Sequence, residues 1–339
     1  MSERVLVTGA AGFIGFHLAR RLAADGWDVL GVDNLNAYYD PGLKHARLAE
    51  LRVYANFRFE HCDIADRGAM ASLFARERFS YVAHLAAQAG VAHSTVDPGA
   101  YVDANLIGFA NILEGCRHAG SQHLVYASSS SVYGGNTQMP LRTTDRVDTP
   151  LSLYAATKRS NELMAHAYAH LFALPVTGLR FFTVYGPWGR PDMAVWLFTQ
   201  AIFEDRPLRL FNFGHNRRDF TYVDDVIESL VRLIKLPPGA AAQSAESTPE
   251  TAAAAPTARI YNVGNAHPVE TGELVSLLEK IIGRPAKREL LPMRSIDVLE
   301  TFADSRDLER VASFAPRTAI EHGLRCFVSW FERYRQGAA

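Results

Sequence analysis

The chain has 339 residues, more than one ordinary compact core accommodates, which points to one large α/β unit with an appended part. Lysine and arginine total 35 against 36 aspartates and glutamates, so no broad basic field draws nucleic acid or an anionic membrane, and a small-molecule partner is expected. Three cysteines, Cys62, Cys116 and Cys326, form an odd and sparse set without a CxxC; this argues against a disulfide framework or a zinc site, and no metal is expected.

The stretch MSERVLVTGAAGFIG has no charged leader ahead of a long apolar run, and no stretch of about 18 uninterrupted apolar residues follows that spans a bilayer. A cytoplasmic protein is the expectation. From the start, apolar runs alternate with helical periods. RVLVTG reads as a short buried strand, and GFIGFHLARRLAADG as an amphipathic helix stopped by Gly26. DVLGVDN, FRFEHCDI and SYVAHLAA read as strands two to four. DANLIGFANILEGCRHAG is a helix closing on Gly120, HLVYASSSS is strand five, a helix begins at Ser152, and PVTGLRFFTVYG is strand six. Repeated strand–helix–strand units predict a parallel, doubly wound sheet with right-handed crossovers.

After Gly186 the rhythm breaks. PWGRPDMA is a loop, VWLFTQAIFEDR a helix, and LRLFNFGHNRRDFTYV two short strands around a Gly-His-Asn turn. VDDVIESLVRLIKL is again a helix. Residues 237–257, rich in Ala, Pro, Ser and Thr, are expected to form a mobile surface insertion. RIYNVGN returns as a strand, and ELVSLLEKIIG and EHGLRCFVSWFERYRQ are amphipathic helices.

Gly9, Gly12 and Gly15 follow a strand and open a helix at intervals of three. Gly9 permits the tight turn, Gly12 lets backbone approach a pyrophosphate at a helix N-terminus, and Gly15 lets the helix pack close. Asp33 ends the second strand 18 positions after Gly15. A carboxylate there accepts a ribose 2′-OH and repels a 2′-phosphate, and the neighbours Asn34, Leu35 and Asn36 offer no cation, so NAD is favoured over NADP. Asp63, after strand three, is either an adenine contact or a cap.

Tyr154 and Lys158 stand one turn apart on one helix face. Such a pair can be an ordinary solvated face. It can also be a base: a nearby ammonium and the positive ring of a bound nicotinamide both favour the phenolate, which then removes a hydroxyl proton as hydride leaves the same carbon. The serine run in YASSSSVYG, at the end of strand five, supplies a hydroxyl to orient the reacting oxygen where ligands bind such sheets.

These motifs resemble the extended short-chain dehydrogenase/reductase (NAD-dependent epimerase/dehydratase) family and, within its sugar-nucleotide epimerases, the UDP-glucuronate 4-epimerases. The likeness rests on Gly9–Gly15, the serine run with VYG and Tyr154-Ala155-Ala156-Thr157-Lys158, and further on DNLNAYYDPGLK, LYAATKRSNELMAHAYAHL and TGLRFFTVYGPWGRPDMA. It is dense over residues 3–235. It implies a doubly wound parallel (Rossmann) sheet in 1–184, with 219–236 and 258–264 returning to it, and a smaller C-terminal α/β substrate-binding part from 185–218 and 265–339. It implies Ser129 as hydroxyl donor, Tyr154 as base and Lys158 as its partner on the nicotinamide ribose.

The same resemblance places Phe13, Ile14, Asn34, Asp63, Ile64, Leu85, Ala86 and Asn105 with the three glycines and Asp33 around NAD. It places Gln88, Ser129, Ser130, Ser131, Thr183 and Arg190 around the sugar, with Ser130 and Ser131 cradling a C6 carboxylate, Arg218 toward the diphosphate, and Asp297 in a loop that grips the nucleotide. A guanidinium suits either anion. The readings to set against these are an exposed loop arginine for Arg190 and a partner of Asp219 for Arg218. Where the subfamily has a basic residue after LAAQAGV, this chain has Ala92 and His93, with His93 as candidate replacement. A Gly and a Pro expected around Asp297 are absent from MRSIDVLETFAD.

The implied reaction is reversible C4 inversion of UDP-glucuronate to UDP-galacturonate through a 4-keto sugar, on a homodimer paired through residues 100–118 and 153–172. The rival readings are a UDP-glucuronate decarboxylase, a neutral UDP-hexose 4-epimerase, and an NAD-binding regulator without catalysis.

Overall fold

The computed structural model describes residues 3–239, 257–294 and 297–337. Six strands come first: β1 (Arg4–Thr8), β2 (Asp28–Asp33), β3 (Phe57–His61), β4 (Tyr81–His84), β5 (His123–Ser129) and β6 (Val176–Phe181). They pair in parallel, and the apolar runs of all but the edge strand β3 are buried on both faces because helices cover the sheet on each side. The covering helices are α1 (Phe13–Ala24), α2 (Pro41–Leu51), α3 (Arg67–Arg76), α4 (Pro98–Val102), α5 (Gly108–Ala119) and α6 (Leu153–Phe172). One turn of π-helix, Asp103–Ile107, joins α4 to α5, so helix starts before the expected Asp103.

Neither α2 nor α3 is apparent from apolar periodicity. The buried face of α2 carries Lys44 and Arg47 beside Leu43, Leu48 and Leu51, which blurs the pattern. Both helices have clear starts. Asp40 accepts the Gly42 N–H at 2.8 Å ahead of Pro41, and Asp66 accepts that of Ala69 at 2.9 Å. Ser152 caps α6 in the same way through the Ala155 N–H at 3.1 Å.

The run read as one sixth strand divides at Phe182. β6 ends in the main sheet, and β7 (Thr183–Tyr185) leaves it. After α7 (Ala194–Phe203) come β8 (Pro207–Phe211) and β9 (Arg217–Tyr222), on either side of a turn with left-handed Asn212, Phe213 and Gly214. The two strands do not pair with each other. β9 lies parallel to β7. Helix α8 (Val223–Ile234) then buries Val226, Ile227, Leu230 and Leu233, and β10 (Ala258–Val263) returns to the main sheet beside β6. The main sheet order is β10-β6-β5-β4-β1-β2-β3. Residues 240–256 of the expected insertion lie outside the described residues.

The remainder forms the smaller part: β11 (Pro268–Glu270) antiparallel to β9, α9 (Thr271–Ile282), β12 (Lys287–Leu291) parallel to β8, α10 (Arg306–Ala312) and α11 (Ile320–Arg335). The apolar stripe of α11 packs Phe327, Trp330 and Phe331 against Trp196 of α7 and Trp188. This aromatic cluster anchors the loop Gly186–Met193 over the carboxyl ends of the main strands.

Candidate active site

The strand order reverses between β1 and β4, and the chain opens a crevice outside the carboxyl ends of such strands. Gly9 turns there at φ +72°, and a Cβ on it would stand 2.8 Å from the Ala86 nitrogen. A Cβ on Gly12 would stand 2.9 Å, and one on Gly15 2.0 Å, from the Gly9 carbonyl oxygen. Gly15 therefore lets the helix close on the turn itself. Gly12 starts α1 without a side-chain cap, so the helix dipole and N–H groups face the crevice.

At the end of β2 the Asp33 carboxylate accepts the N–H groups of Ala11 (3.1 Å) and Leu35 (2.8 Å). No cation stands beside it in sequence, but the fold brings one. Lys44 on α2 places Nζ 3.8 Å from Asp33 and donates to Asn36 at 2.9 Å. Asp63 both caps, accepting from Ala65 at 2.8 Å, and faces the crevice, where it accepts from the Asn34 amide at 2.9 Å. Leu85 and Ala86 donate their N–H groups to the Thr8 hydroxyl, which ties the ends of β1 and β4 together.

At the end of β5, Ser128 turns inward and donates to Glu162 at 2.7 Å, while Ser129 accepts the Ser131 N–H at 3.1 Å and faces the crevice. Lys158 is buried, and its ammonium donates to the Ala127 carbonyl at 2.8 Å. With no carboxylate beside it, burial pulls its pKa down to about 8. Burial pushes the Tyr154 phenol up, against the pull of Ser129 and Arg190. The Lys158 ammonium, one helical turn on, is held in place by the strand carbonyl of Ala127.

Across the crevice, Arg190 is a partly buried side chain held by Asp192 in a two-pronged pair (2.9 and 2.6 Å), and Tyr38 donates to the same carboxylate at 3.1 Å. It is not a free loop arginine. Arg218 donates to the carbonyls of Arg217 (2.9 Å) and Leu299 (3.3 Å), not to Asp219. Asp219 is fully buried and accepts the N–H groups of Asn265, Ala266 and Ala303. Asp297 pairs with Arg294 at 2.9 and 2.8 Å.

One cleft of about 590 Å³ takes in Gly9, Gly12, Phe13, Ile14, Gly15, Asp33, Asn34, Asp63, Ile64, Leu85, Ala86, Gln88, Ser129, Ser130, Ser131, Tyr154, Lys158, Thr183, Arg190, Arg218 and Asp297. Asn105 does not line it. Its amide bonds the backbone of Gln88 and Thr157, so it braces the wall from behind. His93 does not line the cleft either; its ring packs against Tyr38, tilted by 53°, with centroids 4.8 Å apart. The lining also includes Asn36, Tyr38, Lys44, Met193 and Arg294, which the motifs did not single out. The Asp40-Pro41 start of α2 was the available signal for Lys44.

A dinucleotide fits these residues. The cradle is one that any Cβ would fill, the helix start is uncapped, and a carboxylate closes the second strand. Among the described residues, no helix is long and apolar enough to cross a membrane, and no group of three or more His, Cys, Asp or Glu is placed to hold a metal.

Comparison with known proteins bears on this geometry. The model of the NAD dependent epimerase/dehydratase family matches residues 5–264. A Rhizobium meliloti protein named "Probable UDP-glucuronate 4-epimerase" is 46% identical over 335 residues, covering 98% of both chains. UDP-glucuronate 4-epimerase 3 of Arabidopsis thaliana is 44% identical over 338 residues, covering 98% of this chain and 77% of its own. The crystal structure of UDP-glucuronic acid 4-epimerase from Bacillus cereus, in complex with UDP-glucuronic acid and NAD, superposes with a TM-score of 0.85 at 31% identity, over 98% of this chain and 99% of that one.

Proposed function

The chain belongs to the NAD dependent epimerase/dehydratase family, and on that premise we propose that it interconverts UDP-glucuronate and UDP-galacturonate by NAD-dependent inversion at C4, through a 4-keto sugar. The observation that carries the reading is the convergence in one cleft of Ser129, Tyr154 and Lys158 with Thr183 at the start of β7 and Arg190 on the loop that follows it.

NAD, when bound, would accept the C4 hydride and give it back to the opposite face of the keto carbon, and its positive ring would add to the pull of Ser129 and Arg190 on the Tyr154 proton. The chain does the rest. Tyr154 takes the C4 hydroxyl proton and later returns it. Ser129 orients the reacting oxygen with its hydroxyl. Lys158, held on Ala127, presents a fixed donor to the nicotinamide ribose. A 4-keto sugar with a C6 carboxylate is a β-keto acid and is prone to lose CO₂. Ser130, Ser131 and Arg190 hold that carboxylate in a geometry that disfavours the cleavage. Arg218 takes the nucleotide diphosphate, and the loop that bears Asp297 meets the nucleotide.

In this reading, residues 1–184 with 219–236 and 258–264 serve the cofactor, and 185–218 with 265–339 serve the substrate. A homodimer is supported by the exposed apolar side chains Val102, Ile107, Leu163, Leu171 and Phe172 along the helices of 98–119 and 153–172. A cytoplasmic location accords with unpaired cysteines and with substrates of this kind.

The test is incubation with UDP-glucuronate without added NAD, with products separated by chromatography and mass detection. A new peak of unchanged mass, identified as UDP-galacturonate, is expected. Loss of CO₂ makes the protein a decarboxylase and overturns the carboxylate clamp. No product, even with NAD supplied, rejects both and leaves a neutral UDP-hexose or a regulatory role.

A further inference from the structure

Arg47 is fully buried on α2 and forms no ion pair among the described residues. Its guanidinium is satisfied almost wholly by backbone carbonyls. Nη1 donates to Ala11 at 2.8 Å and to the Tyr39 hydroxyl at 2.7 Å; Nη2 donates to Trp188 at 2.6 Å and to Gly189 at 3.3 Å; Nε has no partner. A buried ion answered only by neutral acceptors is a costly way to hold a fold, and an apolar side chain of similar volume would pack there at less cost.

The identity of the acceptors suggests what the charge is for. Ala11 lies in the cradle between Gly9 and Gly12, while Trp188, left-handed at φ +61°, and Gly189 immediately precede Arg190. The same segment after β2 also reaches the far side of that loop, where Tyr38 holds Asp192 and Asp192 holds Arg190. The loop bearing Arg190 is therefore fixed at both ends from the cofactor side.

We propose that Arg47 is a positioning residue that couples the dinucleotide cradle to the substrate loop Gly186–Met193, so that filling the cradle sets the place of Arg190. The proposal rests on the reading of Arg190 as a contact of the uronate. Coupling of this kind is reciprocal: cofactor and uronate must each tighten the other.

The test uses Arg47→Lys, which keeps the charge but loses the fork, and the milder Tyr39→Phe, which removes one acceptor. Three quantities are measured: NAD affinity by calorimetry, KM and kcat for UDP-glucuronate at saturating NAD, and the inhibition constant of UDP. Arg47→Lys should weaken NAD and raise KM by about ten-fold each. It should lower kcat by less, and leave the UDP constant within about two-fold, since the UDP end of the cleft has no contact with Arg47. Tyr39→Phe should move the same quantities in the same direction by a smaller factor, and decides the matter if Arg47→Lys does not fold.

A fall in melting temperature or active fraction with normal NAD affinity and KM makes Arg47 a structural residue only and overturns the proposal. A change in NAD affinity with KM unmoved overturns it as well. If the wild type does not turn over UDP-glucuronate, only the functional reading fails. Calorimetric binding of UDP-glucuronate to NADH-loaded and nucleotide-free protein, compared between wild type and variant, still judges the coupling.

Discussion

Replacing Lys158 by methionine should leave the fold as stable as before, or more so, while removing activity. Burial takes this ammonium from 10.5 to about 8. At about 1.4 kcal/mol per pH unit, that corresponds to roughly 3 kcal/mol set against folding. Below about pH 8 the lysine is charged both folded and unfolded, and the penalty is present in full. As pH rises from about 8 toward 10.5 the folded protein loses the proton first, and the penalty fades; above 10.5 it is gone. Methionine keeps the length of the stem but leaves the Ala127 carbonyl without its donor, at a cost of about 1–3 kcal/mol. The balance near pH 7 is a variant between unchanged and about 2 kcal/mol more stable. Near pH 10 the same variant should be the less stable of the two. Urea unfolding of nucleotide-stripped wild type and Lys158→Met across that range measures the crossing. A variant several kcal/mol less stable at neutral pH, or a difference that does not move with pH, would refute the reasoning and mean that the ammonium is stabilised by its site.

Tyr154→Phe should lower kcat by about 10²–10⁴-fold with bound NAD retained, as read by turnover and by the absorbance ratio of the purified protein. Gly15→Ala should abolish NAD retention and lower the melting temperature, because its Cβ would stand 2.0 Å from the Gly9 carbonyl and must push the turn open; normal retention would show that the turn yields freely. Glu162→Gln should destabilise the fold by about 3–5 kcal/mol in a denaturant titration. The buried carboxylate answers Arg180 at 2.8 and 2.9 Å, Arg159 at 3.1 Å and Ser128 at 2.7 Å, and its loss leaves the Arg180 charge uncompensated inside the protein. A cost under about 1 kcal/mol would show that water reaches the pair.

Short-range features are legible in the amino-acid order alone. The strand–turn–helix around Gly9, Gly12 and Gly15 is a local geometry, and so is the one-turn spacing of Tyr154 and Lys158. Continuous apolar runs mark strands covered on both faces, and the amphipathic stripes of α1, α8 and α11 follow from helical periodicity. The limits appear where a local rule meets a buried charge: α2 carries no continuous apolar stripe because its inner face holds Lys44 and Arg47.

Tertiary structure decided the rest, because apposition across the crevice depends on strand order and not on period. It set Lys44 beside Asp33, placed Asn105 behind Gln88, and packed the His93 ring against Tyr38. It parted β7 from β6, so that Thr183 could leave the main sheet. It gave Asp219 three backbone N–H groups and freed Arg218 to face the cleft. Tyr38 and Asp192 stand 154 residues apart in the chain, yet one hydrogen bond joins them. Only the packing of the Gly186–Met193 loop over the strand ends brings Arg190 to the same cleft as Tyr154.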